Sequence, residues 1–273
     1  MLAQLLSWDT SLFHVVNGLA GDWTLDRIVN FIQSNYLLRC IPFVAPLWYF
    51  WFQPGNRQNE RRDAVICLIF GVLAALIVNR ALASFLPFRV RPMYAAGIDF
   101  HPMSFPSNPD MVGWSSFPSD NATFYFAVAT GIYVMCRAFG TYLIAHAIVF
   151  VFLPRVYQGI HYPGDIIVGA AIGAAVMIPV MTTPLTRHLF ACQYIRKWAE
   201  RHSGLFAVLF FVTTFEMIIL YDDLRGVLIS VANFLHAKGM VARVEGTIFV
   251  LGTVCLAVMV TGATIYSRYF RRQ

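Results

Sequence analysis

"PRVYQGIHYPGDIIVG", residues 154–169, is the stretch on which the reading of this chain turns. Arg155 closes one apolar run, Gly159, Pro163 and Gly164 make a turn around His161, and Asp165 opens the next apolar run. Each feature has an ordinary structural use. Arginines at the ends of membrane spans snorkel to headgroups, a lone loop histidine is commonly incidental, and an aspartate after Pro-Gly caps a helix. Taken together they describe a chemistry. A histidine four residues before a carboxylate can be oriented by it as a nucleophile, with one ring nitrogen free to attack phosphorus and the other donating its proton.

The apolar runs on either side set the solvent. Hydrophobic residues make up 58% of the 273 positions and charged residues only 12%, against roughly 25% charged in soluble domains. This composition predicts an all-α polytopic membrane helical bundle. Runs of about 18 or more apolar residues fall near 36–53, 64–86, 118–136, 139–158, 165–184, 204–221 and 245–267. Residues 1–35 carry Asp9, Asp22, Asp26 and Arg27 at intervals too short for a span. They read as an N-terminal interfacial amphipathic segment, without the pattern of a cleaved signal peptide. Three regions follow: that segment, a membrane core over 36–184, and a link with two C-terminal spans over 185–273. The single cysteines Cys40, Cys67, Cys136, Cys192 and Cys255 read as small hydrophobes. The net charge of +6 does not point to nucleic acid, because the arginines gather at span ends rather than among aromatics.

Orientation follows from the same arginines. Arg57, Arg61 and Arg62, then Arg187, Arg196, Lys197 and Arg201, then Arg268, Arg271 and Arg272 all fall on one side of the bundle, which the positive-inside rule makes cytoplasmic. Lys238 and Arg243 run against the bias. The loops near 87–117 and 159–164 then face outward. On that outer side lie two more polar clusters: "FLPFRVRPMY", residues 85–94, with Arg89 and Arg91, and "FPSDNATFYFA", residues 117–127, where Ser119 stands at a helix start. A Pro-Ser helix start is either a simple cap or one wall of an anion site. Forked arginine donors and a helix N-terminus suit phosphate oxygens. No cluster has the spacing of a metal cage, so neither metal nor other cofactor is expected. Glu216, inside "FFVTTFEMIILYDD", reads either as a polar contact gating a lipid headgroup or as a group held by its neighbours within the bundle.

The arrangement resembles the type 2 phosphatidic acid phosphatase superfamily of lipid phosphate phosphatases, whose signatures run K-x6-R-P, P-S-G-H and S-R-x5-H-x3-D. Arg91-Pro92 matches the end of the first, Pro118-Ser119 the start of the second, and Arg155, His161 and Asp165 the third. In phrasing the chain is most similar to bacterial undecaprenyl pyrophosphate phosphatases of the bacitracin-resistance type, over about residues 8–184. The resemblance implies that His161 forms a phosphohistidine, that Asp165 orients it, and that Arg91, Ser119 and Arg155 hold phosphate oxygens. It also implies an isoprenoid pyrophosphate or related lipid phosphate as substrate, at the outer face of a bacterial inner membrane.

The match has gaps. Ser84 stands where the family has lysine, Asp120 where it has glycine, Asn121 where it has the leaving-group histidine, and Pro154 where it has serine. Arg80 and Arg89 are candidate substitutes for the missing cation at the phosphate, and Asp120 is placed beside it. An amide cannot transfer a proton. Three accounts of Asn121 stay open: an acidic leaving group that needs no help, another acid such as Asp120, Asp110 or His101, or an altered site. Alternative readings are a phosphotransferase passing phosphate to a lipid or sugar hydroxyl, and a non-catalytic binder or transporter of lipid phosphates.

Overall fold

The computed structural model describes residues 2–105 and 113–219. Asp110, the link and span expected beyond residue 221, and the arginine-rich tail lie outside the described residues. The described chain runs α1 (Leu2–Asn17), α2 (Trp23–Ser34), α3 (Tyr36–Arg39), α4 (Ile41–Phe52), α5 (Gln58–Phe85), α6 (Asp120–Met135) and α7 (Arg137–Ala147). A π turn, Ile148–Phe152, joins α7 to α8 (Leu153–Tyr157). Then come α9 (Pro163–Thr182), α10 (Pro184–Leu189), α11 (Cys192–Arg201) and α12 (Ser203–Ile218). The described residues contain helices and no strand. This is an all-helical membrane protein.

Three helices, Gln58–Phe85, Arg137–Tyr157 and Pro163–Thr182, are long and apolar enough to cross a membrane. They coincide with the runs at 64–86, 139–158 and 165–184. The run at 36–53 is instead broken at Cys40. The Asn35 side chain caps α3 by accepting the Leu38 N–H, and Pro42 sits in the first turn of α4, where its missing N–H costs nothing. The run at 118–136 becomes the 16-residue α6, bounded by extended backbone at Ser119 and Cys136. The run at 204–221 becomes α12, ending at Ile218.

Helix α6 is the centre of the bundle and packs against α5, α7 and α9. Its approach to α9 depends on a small-residue pair one turn apart, as in membrane helix pairs generally. A Cβ on Gly169 would stand 2.4 Å from the Ser119 carbonyl oxygen, and one on Gly173 would stand 2.3 Å from that of Thr123. The Thr123 hydroxyl bonds across the seam to the Gly169 carbonyl at 3.0 Å and to Asn79 Oδ1 of α5 at 2.9 Å. Gly169→Val should therefore push the two helices apart. Overpacking of this kind costs about 1–3 kcal/mol, so a lowered melting midpoint in detergent together with lost activity is expected; a midpoint equal to the parent's would contradict the packing described.

The N-terminal segment, expected to lie at the interface, packs onto the core. Phe13 and Asn17 of α1 and Asp26 of α2 are fully buried. Asn17 donates to the carbonyls of His101 and Tyr157, both at 2.9 Å. Asp26 accepts from the Ser104 N–H at 2.6 Å and the Tyr157 hydroxyl at 2.7 Å. Asp26, one of the charges that interrupt the apolar stretch, thus ties the segment to the loop at Ser104 and to Tyr157 of α8. At the other end of the 28-residue α5, Arg196 pairs with Asp63 at 2.8 Å and Arg62 with Glu200 at 3.2 Å. The basic links thus meet at the bundle end opposite the three polar clusters.

Candidate active site

The three clusters converge. The turn between α8 and α9 carries His161, the start of α6 carries Ser119, and the chain leaving α5 carries Arg89 and Arg91. Backbone bonds seat these pieces on one another: Ser119 N–H to Asp165 carbonyl at 3.1 Å, Met93 N–H to Gly159 carbonyl at 3.0 Å, and Ser116 N–H to Arg89 carbonyl at 2.8 Å.

His161 is almost wholly enclosed, at 3% exposure, and its surroundings fix its tautomer. Nδ1 lies 3.0 Å from the Ser116 carbonyl oxygen, which can only accept, so Nδ1 carries the proton. Nε2 is left with its lone pair. It faces the Ser119 hydroxyl at 3.3 Å. Burial above all disfavours the imidazolium and lowers the His161 pKa from its ordinary value; Arg91 and Arg155 add to this, and Asp165 opposes it. Ser119 also caps α6, accepting the Ala122 N–H at 3.4 Å. The residue is therefore both the cap of α6 and the hydroxyl that faces Nε2, at the positive end of a helix.

Asp165 is buried behind His161 but not bonded to it. The nearest approach, Oδ2 to Nδ1, is 3.8 Å, beyond hydrogen-bond reach. Its oxygens are taken elsewhere: Oδ2 accepts the Ser116 hydroxyl and the Tyr162 N–H at 2.9 Å, and Oδ1 pairs with Arg89 at 2.6 Å. Ser116 thus stands between carboxylate and imidazole, touching Asp165 through its hydroxyl and His161 through its carbonyl. Sequence reasoning passed over Ser116. Nothing in a Ser-Ser pair marks it, because half of its role is played by a backbone atom.

Arg91 and Arg155 are each 8% exposed. Arg91 donates from one terminal nitrogen to the Ile160 carbonyl at 2.9 Å and from the other to the Ser115 carbonyl at 3.5 Å. The Nε of Arg91, the Nε of Arg155 and the Oδ1 of Asn121 are buried without a hydrogen-bond partner among the described residues. Buried polar atoms are normally satisfied. Two orphan guanidinium donors near an imidazole and a helix N-terminus suit an anion.

The other candidates are placed differently. Arg89 has its two terminal nitrogens on carboxylates, Asp165 and Asp9, each at 2.6 Å, and its guanidinium lies over the Tyr162 ring at 3.9 Å. Burial opposes its charge, but the two carboxylates prevail and its pKa is raised. Arg80 pairs with Asp120, whose other oxygen accepts from Asn79 at 2.6 Å. Two departures from the family pattern therefore answer each other: the carboxylate at the glycine position is neutralised by the arginine one turn before Ser84. Ser84 itself bonds back to the Arg80 carbonyl at 2.9 Å.

Residues 64–189 match the family model described as the PAP2 superfamily. That segment, which holds the three clusters, is similar to the PAP2 superfamily. Among curated proteins, the chain is similar to the bacitracin transport permease protein BcrC of Bacillus licheniformis, with 23% identity over 165 residues, 59% of this chain and 73% of the relative. No solved structure matches. The family match and the relative support a lipid-phosphatase type of function in a membrane protein.

Proposed function

We propose that the protein hydrolyses an isoprenoid pyrophosphate of the undecaprenyl type, or a related lipid phosphate, at the outer face of a bacterial inner membrane. The observation that carries this reading is the tautomer of His161: its unprotonated Nε2 faces the Ser119 hydroxyl, beside two buried arginines with unpartnered Nε groups. The Nε2 lone pair attacks the terminal phosphorus, a P–N bond forms, and the P–O bond to the lipid side breaks with its electron pair leaving on oxygen. The imidazole gains positive charge, stabilised by Asp165 through Ser116, while Arg91, Arg155, Ser119 and the α6 N-terminus hold the phosphoryl oxygens. Water then attacks the phosphohistidine, the P–N bond breaks, and inorganic phosphate leaves.

Asn121 favours a pyrophosphate over a monophosphate, since a departing phosphate needs no proton whereas an alkoxide does. Clustering of the basic links at the far end of the bundle supports an outward-facing site. The test is inorganic phosphate release by purified protein from isoprenoid pyrophosphate, isoprenoid monophosphate and phosphatidate, with and without a hydroxyl acceptor. Release from the pyrophosphate, at least about tenfold faster than from the monophosphate, is expected. Transfer to the acceptor in place of release would make the protein a phosphotransferase, and saturable binding without either would make it a binder.

A further inference from the structure

Behind Asp165 the ionic contacts continue into a part of the chain far from the three signatures. Arg89 bridges Asp165 Oδ1 and Asp9 Oδ2, each at 2.6 Å, and Asp9 Oδ1 accepts the Gly164 N–H at 2.7 Å. Asp9 is 5% exposed. The fit around it is close: a Cβ on Gly164 would stand 2.9 Å from Asp9 Oδ2. Phe13, one turn along α1, meets the Tyr162 ring at 5.7 Å between centroids, and the Arg89 guanidinium lies over the same ring at 3.9 Å. Helix α1 is thus clamped onto the turn that carries His161.

We infer that Asp9 and Arg89 are positioning residues for the reaction, acting through Asp165 on His161; this rests on the reading of His161 as the nucleophile. The physical argument is charge. Asp9, Arg89 and Asp165 form a chain of two carboxylates and one guanidinium, with one net negative charge. Attack by Nε2 places positive charge on the imidazole, so that net charge stabilises the transition state more than the ground state. Without Asp9, the charge of Arg89 falls wholly on Asp165, and the field at His161 is cancelled. Without Arg89, two carboxylates are buried near each other and Asp165 loses the contact that holds Oδ1 away from the ring. Arg89 therefore serves the carboxylate rather than the phosphate, and α1 belongs to the active site rather than to an anchoring segment.

Asp9→Asn is the discriminating substitution, because an amide oxygen still accepts from Gly164 and the volume is nearly unchanged while the charge is lost. With isoprenoid pyrophosphate in detergent micelles, kcat per folded enzyme should fall about tenfold, the low end of what loss of a group orienting a metal ligand costs, while KM does not rise; the melting midpoint falls as well, because the amide NH2 then faces Arg89. Arg89→Lys, which retains the charge but not the two-pronged grip, should also lower kcat. Asp9→Asn combined with Arg89→Lys should cost less than the product of the two separate losses, since both act through one chain. Undiminished kcat in Asp9→Asn or in Arg89→Lys, alongside a dead His161→Ala, would overturn the inference and leave the nucleophile intact. Losses of kcat that only track loss of folded protein would overturn it too, by reducing the contact to a structural one. An active His161→Ala would remove the reading on which it rests.

Discussion

His161→Ala should reduce phosphate release by at least about 1,000-fold, the scale on which removal of a covalent nucleophile acts. The mixed arrangement around the ring makes the loss specific. Nδ1 is tied to a carbonyl and Nε2 faces Ser119, so removing the ring removes the one imidazole lone pair held at that spot. The parent protein, quenched during turnover of a pyrophosphate labelled in its terminal phosphate, should carry label that is lost in acid and stable in base, as a phosphoramidate is; the Ala variant should carry none. Release by the Ala variant at the parent's rate would refute the mechanism. The pH dependence follows from the same burial. Attack needs the neutral ring, and burial together with Arg91 and Arg155 lowers the His161 pKa against the pull of Asp165. The nucleophilic form therefore persists as pH falls, and the acid limb of kcat/KM should lie below the ordinary histidine value of about 6.5. A limb above it would mean that Asp165 outweighs burial in the working enzyme.

Arg155, His161 and Asp165 were legible because a single turn fixes their spacing, and a short spacing survives in sequence. Their actual bonding was not. Asp165 reads as the direct partner of His161, but the hydrogen-bonding hydroxyl and carbonyl of Ser116 come between them, and a backbone carbonyl has no letter. Asp120 departs from the family pattern, and Arg80 reads separately as a substitute for the cation missing at Ser84. That they pair depends on α5 and α6 lying side by side, a fact of packing rather than of pattern. Asp9 is the extreme case. Its charge interrupts an apolar stretch, so hydropathy assigns the segment to an interface, whereas the carboxylate is buried against an arginine 80 positions away. The spans show the same limit: apolar content marked where helices lie, but not the cap at Asn35 and the proline that divide the run at 36–53 into α3 and α4.

Asn121→His is expected to accelerate hydrolysis of isoprenoid monophosphate by about 100- to 10,000-fold, the usual worth of general acid catalysis, and that of pyrophosphate far less. Asn121 lies in the first turn of α6, two residues after Ser119, and its Oδ1 is buried with no hydrogen-bond partner among the described residues. Oxygen and nitrogen of an amide are assigned by their surroundings, and beside a bound phosphate ester the amide would turn its NH2 toward the oxygens. It can then hold the leaving oxygen but cannot give it a proton. A phosphate leaving from a pyrophosphate departs with its charge already spread over several oxygens, so the missing acid costs little. An alkoxide leaving from a monophosphate carries its charge on one oxygen, and there the acid decides the rate. Asp120 is a poor replacement, because both of its oxygens are engaged, by Arg80 and by Asn79. A histidine at 121 restores the proton where it matters most, so the ratio of the two rates is the quantity to measure. An equal gain on both substrates would mean that the pyrophosphate reaction also lacked its acid, and that the leaving group does not explain the asparagine. No gain on either would mean that position 121 does not face the leaving oxygen.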